Sequence, residues 1–147
     1  MDQMISAPQS TPVDVTIDNF MAEVIEGSKA TPTIVQFWAP WCSPCKRELN
    51  NYAELYEDWM EDTGVNIVAV SIDDQRSVNR VAPYVNSVGW EYDILLDPNR
   101  EFARAMNVNN VPHTFVVDRE GKVVWSHNNY ADGDEYELQE ELAKLAE

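Results

Sequence analysis

Residues 33–46 read Thr33-Ile-Val-Gln-Phe-Trp-Ala-Pro-Trp-Cys-Ser-Pro-Cys-Lys46, and the fold depends on how that stretch divides. Thr33 to Trp38 is a nearly continuous apolar run, the pattern of a strand buried on both faces of a parallel sheet. From Ser43 to Asp62 the period becomes helical. Cys45, Leu49, Tyr52, Tyr56 and Trp59 recur at threes and fours, Glu54, Glu57, Asp58 and Glu61 mostly fill the other side, and Gly64 ends the pattern. Cys42 therefore follows a buried strand and opens a helix. Unpaired backbone N–H groups and the positive end of the helix dipole stabilise a thiolate there, and a lowered pKa makes a thiol nucleophilic near neutrality. Pro44 suits the first helical turn, where its missing N–H costs nothing. Cys45 lies one turn further in and can close a disulfide with Cys42. Such a pair attacks a foreign disulfide through Cys42, forms a mixed disulfide and resolves it with Cys45.

The flanking sequence supplies the rest of an α/β domain. Residues 1–12 are polar, include Pro8 and Pro12, and are expected as a flexible tail. Val13 to Ile17 predicts a short strand, and Asp18 caps a helix through Ile25. After the central helix, Val65 to Ile72 reads as a second buried strand. A helix follows over Gln75 to Ser87, interrupted by Pro83, then a strand over Tyr92 to Leu96 and a short helix over Asn99 to Met106. Thr114 to Val117 and Val123 to Trp125 flank Asp118-Arg-Glu-Gly-Lys122, a hairpin signal with glycine in the turn. Asp134 opens a last helix with Glu137 as its capping-box partner and Leu138, Leu142 and Leu145 on its apolar stripe. These elements predict one domain over residues 13–147 with a mixed sheet.

Composition narrows the partners. The chain has 147 residues, 44% of them hydrophobic, with five Trp, and this is a folding composition rather than a disordered one. Ten basic side chains against 26 acidic give a net charge of −16, which repels nucleic acid and anionic lipid. Two cysteines do not make a disulfide scaffold, and no run approaches the roughly 18 apolar residues of a membrane span. Met1 to Ser10 lack a basic n-region and an apolar h-region, so no signal peptide is expected: Met1 is a native start or follows a removed leader. Half of a closed zinc site is the plainest alternative for the cysteine pair. The further ligands would have to be His113 and His127, fourteen residues apart, against the usual spacing of three to five between histidines.

The run Phe37 to Lys46 resembles the FWAxWCxPCK signature of the thioredoxin superfamily, and Val111-Pro112 with Thr114-Phe115 resembles its cis-proline loop. The resemblance extends over about residues 13–146. From Cys45 to Pro112 is 67 residues, longer than in plain thioredoxins by about a helix and a strand. With Val70 to Asp73 before that insert and Leu96-Asp97-Pro98 after it, the chain resembles the TlpA/ResA-like thiol–disulfide oxidoreductases. This implies a thioredoxin-like fold, a central mixed sheet flanked by helices, with the extra helix and strand before the cis-proline hairpin. A proline in a turn is ordinarily trans; the resemblance implies that Pro112 is cis, with the backbone of Val111 pairing with a substrate strand. Glu48, one turn beyond Cys45, matches a glutamate common in that branch and is expected to manage protons for Cys45; the alternative is a solvated first-turn acid. Trp41, Ser43, Pro44 and His113 complete the expected contact surface.

Three positions depart from the pattern. Plain thioredoxins keep a buried acid where this chain has Gln36, the branch often has proline where Asn50 stands, and His113 occupies a site where small or hydroxyl residues are commoner. Trp38 is expected in the core, Trp59, Trp90 and Trp125 as packing, His127 as structural, and the acidic run from Asp132 to Glu147 as a solvated face. The reading is a thiol–disulfide oxidoreductase acting on protein disulfides with an upstream redox donor, a monomer, with no organic cofactor and no resident metal. Ser43-Pro44 lacks the histidine of strongly oxidising relatives, which favours a reductant over an oxidant. The alternative is a copper or zinc carrier using Cys42, Cys45 and His113. Peroxidase chemistry is disfavoured because the PxxxTxxC context of peroxidatic cysteines is missing. The resemblance favours the cell envelope if a leader was removed and the cytoplasm otherwise.

Overall fold

A computed structural model of the chain describes residues 13–14, 31–74 and 76–145. The expected tail over 1–12, the end of the first strand and the helix over 18–25 lie outside the described residues. In chain order the elements are β1 (Val13–Asp14), β2 (Thr33–Trp38), α1 (Ser43–Thr63), β3 (Asn66–Ser71), a 3-10 turn (Val78–Arg80), α2 (Val81–Val88), β4 (Asp93–Leu96), α3 (Glu101–Ala105), β5 (His113–Val117), β6 (Val123–Asn128) and α4 (Asp134–Leu145).

The six strands form one mixed sheet in the order β1-β4-β3-β2-β5-β6. β1, β4, β3 and β2 are parallel, and β5 and β6 join antiparallel. β2 lies centrally with every residue buried, as its apolar run requires. Its register sets the geometry of the site. Gln36 stands opposite Ala69 on β3 and Thr114 on β5, and Phe37 stands opposite His113. Side chains alternate across the sheet. Phe37 meets Phe102 and Phe115, whereas Trp38 packs on Tyr84 and Trp90.

α1 is the longest helix. Its buried stripe is Cys45, Glu48, Leu49, Tyr52, Tyr56 and Trp59, and it stops at Gly64, whose φ of 74° is left-handed and suits glycine. α4 docks alongside, with the Trp59 indole donating to Gln139 and Arg47 pairing with Asp132. No helix among the described residues is long and apolar enough to cross a membrane.

Four local expectations change. The helix read from Gln75 begins only at Val81, preceded by the 3-10 turn, so Pro83 sits in the first turn of α2, where its missing N–H breaks no intrahelical bond. β6 continues to Asn128, past the expected end at Trp125, because pairing with β5 carries it. Asp134 does not form a capping box with Glu137: its carboxylate takes the Ala131 N–H and the His127 ring, while Glu135 accepts the Gly133 N–H. Glu135 is buried against Tyr130 rather than solvated with its acidic neighbours.

Candidate active site

β2 ends at Trp38, four residues bring the chain to Cys42, and α1 begins at Ser43. Cys42 is the N-cap of α1, with extended backbone (φ −99°, ψ 101°), and Pro44 occupies the first turn. The Cys42 sulfur accepts the Cys45 N–H at 3.3 Å, an interaction that favours negative charge on sulfur. Cys42 and Cys45 are joined as a disulfide, with Cα atoms 5.3 Å apart. Both are largely covered. Cys42 keeps 6% of its surface and Cys45 none, so the expected order of exposure is present with Cys42 more enclosed than anticipated.

Sheet register brings three further groups to the same end. β5 enters antiparallel with His113 opposite Phe37, so Val111 and Pro112 adjoin the end of β2, and the Val111–Pro112 peptide is cis. β3 leaves parallel with Ser71 opposite Trp38, and the Ile72 N–H donates to the Trp38 carbonyl, which delivers Asp73 to this end. Trp41 is 59% exposed beside Cys42, Ser43 is exposed, Pro44, Val111 and His113 are half-buried, and Pro112 is buried.

Glu48 is not a solvated first-turn acid. It is 1% exposed, and every polar contact it makes is internal. The Tyr52 hydroxyl donates to Oε2 at 2.7 Å, the Gln36 amide donates to Oε1, and the Thr114 hydroxyl approaches Oε2 at 3.5 Å while donating to the Gln36 carbonyl. Burial raises the Glu48 pKa to about 7; the Tyr52 and Gln36 hydrogen bonds and nearby His127 pull it down without cancelling the desolvation. The position that lacks the thioredoxin acid thus holds an amide that ties Glu48 to β5. Asn50, at the other departure, accepts the Trp90 indole N–H at 2.7 Å.

Four members of this site escaped the sequence reading in their roles. Tyr52 follows Glu48 by four residues, a helical-neighbour signal that was there to be used. Thr114 and Gln36 become partners only through the β2–β5 register. Asp73 is 1% exposed, and neither carboxylate oxygen has a hydrogen-bond partner among the described residues; burial raises its pKa, moderated by the nearby Trp41 and Ser77 side chains.

The alternative metal set is not assembled. His113 lies stacked on Phe115 at 4.4 Å with its Nδ1 3.2 Å from the Asn128 amide, and burial together with His127 lowers its pKa. Among the described residues no group of three His, Cys, Asp or Glu side chains is arranged to hold a metal ion.

Known proteins share this architecture. ResA of Bacillus subtilis, a thiol–disulfide oxidoreductase, is 33% identical over 113 residues, covering 72% of this chain and 62% of its own length. The chain therefore spans less than two thirds of that relative, and the same holds for the corresponding ResA of Geobacillus thermodenitrificans, matched over 66% of its length. An uncharacterised thioredoxin-like protein from Porphyromonas gingivalis, known from a solution structure, superposes with a TM-score of 0.72 at 45% identity over 79% of this chain and 76% of its own. A putative thiol:disulfide interchange protein DsbE from Chlorobium tepidum superposes at 0.73 with 23% identity, over 82% of this chain and 84% of its own, a likeness of fold. The sequence pattern of the AhpC/TSA family matches residues 7–126, and on that extent of agreement the chain belongs to the AhpC/TSA family, with a thioredoxin-like fold.

Proposed function

We propose that this chain, with residues 13–147 as a single domain, is a thiol–disulfide oxidoreductase that works chiefly as a monomeric reductant of protein disulfides. One observation carries the reading: a two-cysteine disulfide at the N-terminus of a long helix, with Cys42 receiving a backbone N–H and keeping a small accessible surface while Cys45 is fully buried. The ResA relatives support it by name and by share of sequence.

In the reduced protein Cys42 attacks the client disulfide as a thiolate, and one client sulfur departs with the electron pair of the broken S–S bond. Cys45 then attacks Cys42, releasing the second client sulfur and closing the Cys42–Cys45 bond. Two electrons pass to the client. Glu48 takes the proton that Cys45 gives up. The Val111 backbone, beside Pro112, receives the client as an added strand, and Trp41, Ser43, Pro44 and His113 complete the contact surface at Cys42.

Insulin reduction with a dithiol donor tests the activity, and turnover above the uncatalysed donor rate is expected. Cys45→Ser is expected to retain a client as a mixed disulfide on Cys42, since the first exchange survives and the second is lost. No turnover and no trapped adduct would sink the reading.

A further inference from the structure

The two faces of the sheet carry different polar groups near Pro112. Gln36, Thr114 and His127 are register partners and form a polar row across β2, β5 and β6, on the face that Glu48 and Asp134 approach. Side chains alternate along a strand, so His113 lies on the other face. There its ring stacks on Phe115, 4.4 Å away and nearly parallel. Asn128, the direct β6 partner of His113, holds its amide nitrogen 3.2 Å from Nδ1 and donates to Asn110 Oδ1 at 2.7 Å. An amide nitrogen only donates. Nδ1 is therefore the acceptor, and the proton of the neutral ring sits on Nε2.

A second proton would set Nδ1–H against the Asn128 amide, two donors face to face. Burial, with His127 on β6, also lowers the His113 pKa, so the ring is uncharged near neutral pH. His113 is half-buried, Asn110 and Asn128 are exposed, and Nε2 has no hydrogen-bond partner among the described residues. The chain beside it is the unpaired end of β5. Pairing with β2 stops at Phe37 opposite His113, and on the β6 flank the Asn129 N–H takes the Pro112 carbonyl at 2.8 Å. The Val111 N–H and carbonyl have no backbone partner among the described residues.

We propose that His113 is a specificity-determining residue for polypeptide clients: its Nε2–H, fixed in place by Phe115 and in tautomer by Asn128 and Asn110, donates to a main-chain carbonyl of the client strand lying along Val111. The inference rests on the client adding there as a strand, as proposed above. A strand offers a carbonyl about every 3.3 Å, within reach of a ring two residues beyond Val111. A small disulfide without peptide groups offers none. The acceptor is uncharged, and so is the donor, which spares the contact the desolvation of an ion. His113 passes no proton and takes no part in the sulfur exchange. Asn128 is a positioning residue that acts through the ring.

Two measurements test this. Imidazole nitrogen NMR of the oxidised protein at neutral pH should show His113 in the Nε2–H form, and Asn128→Leu should let the other tautomer appear. The second measurement compares catalysed reduction of insulin with that of 2-hydroxyethyl disulfide, using one dithiol donor. His113→Phe keeps an aromatic ring on Phe115 and removes the N–H. Its kcat/KM for insulin is expected to fall several-fold further than for the small disulfide, with the loss carried by KM. His113→Gln restores an amide donor and is expected to recover part of that selectivity. A parent inactive on both disulfides overturns the oxidoreductase reading beneath the proposal. In an active parent, an Nδ1–H ring, equal losses on both substrates in His113→Phe, no loss on either, or a His113→Gln no better than His113→Phe overturns the donor role alone.

Discussion

Glu48 is a neutral acid below neutrality and a buried anion above it, with Tyr52 and Gln36 as donors in either state. Its folded pKa of about 7 lies above the ordinary 4.5, so the folded protein holds this proton more tightly than the unfolded chain. The resulting stabilisation is complete below about pH 4.5 and is lost as pH rises through about 7. At about 1.4 kcal/mol per unit the window amounts to roughly 3 kcal/mol. Urea unfolding of the oxidised protein is therefore expected to show the stability difference between parent and Glu48→Gln moving by about that much in favour of the variant from about pH 4.5 to about pH 8. A difference that stays constant would mean that Glu48 does not titrate in this window. A second expectation concerns the sulfurs. After reduction, iodoacetamide near neutral pH should modify Cys42 first, because it combines the helix N-terminal position with what exposure the pair retains. Cys42 and Cys45 were legible from spacing alone, since a helix start fixes both chemistry and geometry. The environment of Glu48 was not. Whether an acid three residues beyond Cys45 faces solvent or the sheet depends on which strand lies beneath it.

Elements whose pattern is set by their own residues followed the sequence closely. β2 has the expected limits and α1 runs one residue past the expected Asp62, because a nearly continuous apolar run and a helical stripe from Cys45 to Trp59 admit little else. Departures cluster where a neighbour decides. Pro83 was read as an interruption because its place relative to the helix start is invisible until the preceding residues coil as a 3-10 turn. Asp134 was read as half of a capping box because His127 is seven residues away, beyond any helical template. The α1–α4 interface is held in the same non-local way. The Tyr130 hydroxyl accepts from Asn51 and donates to Glu135, both at 2.6 Å, and Arg47 lies over its ring at 5.6 Å. Tyr130→Phe keeps the ring and removes the hydroxyl, leaving the buried Glu135 carboxylate short of a donor. The expected cost is about 1–3 kcal/mol in denaturant unfolding, with no change in disulfide-exchange rate. A neutral result would mean that Glu135 is adequately satisfied by the Gly133 N–H.

For the molecule as a whole, the charge of −16 leaves acids in large excess over the cations available to pair with them, as in Arg47–Asp132 and Lys144–Glu141. Self-repulsion of that size opposes compactness and is screened by salt. The melting temperature is expected to rise by several degrees between low ionic strength and about 0.5 M sodium chloride, and calorimetry at fixed pH checks it. The mixed sheet and the helix-and-strand insert were readable from the sequence, because alternation of strands and helices forces crossovers. The polar row across β2, β5 and β6 was not, because it exists only once β2 takes its register against the β5–β6 hairpin, with Gln36 and Thr114 78 residues apart. The near-complete enclosure of the sulfur pair has its own consequence at this scale. With Cys45 sealed and Cys42 alone reaching the surface, the proposed exchange has one doorway for electrons, and a donor standing in it would shut out a client. Traffic must alternate, one visitor leaving before the next arrives. Double-reciprocal plots of turnover at several fixed donor concentrations are then parallel, the kinetic mark of a shuttle that meets its two partners in turn and never together.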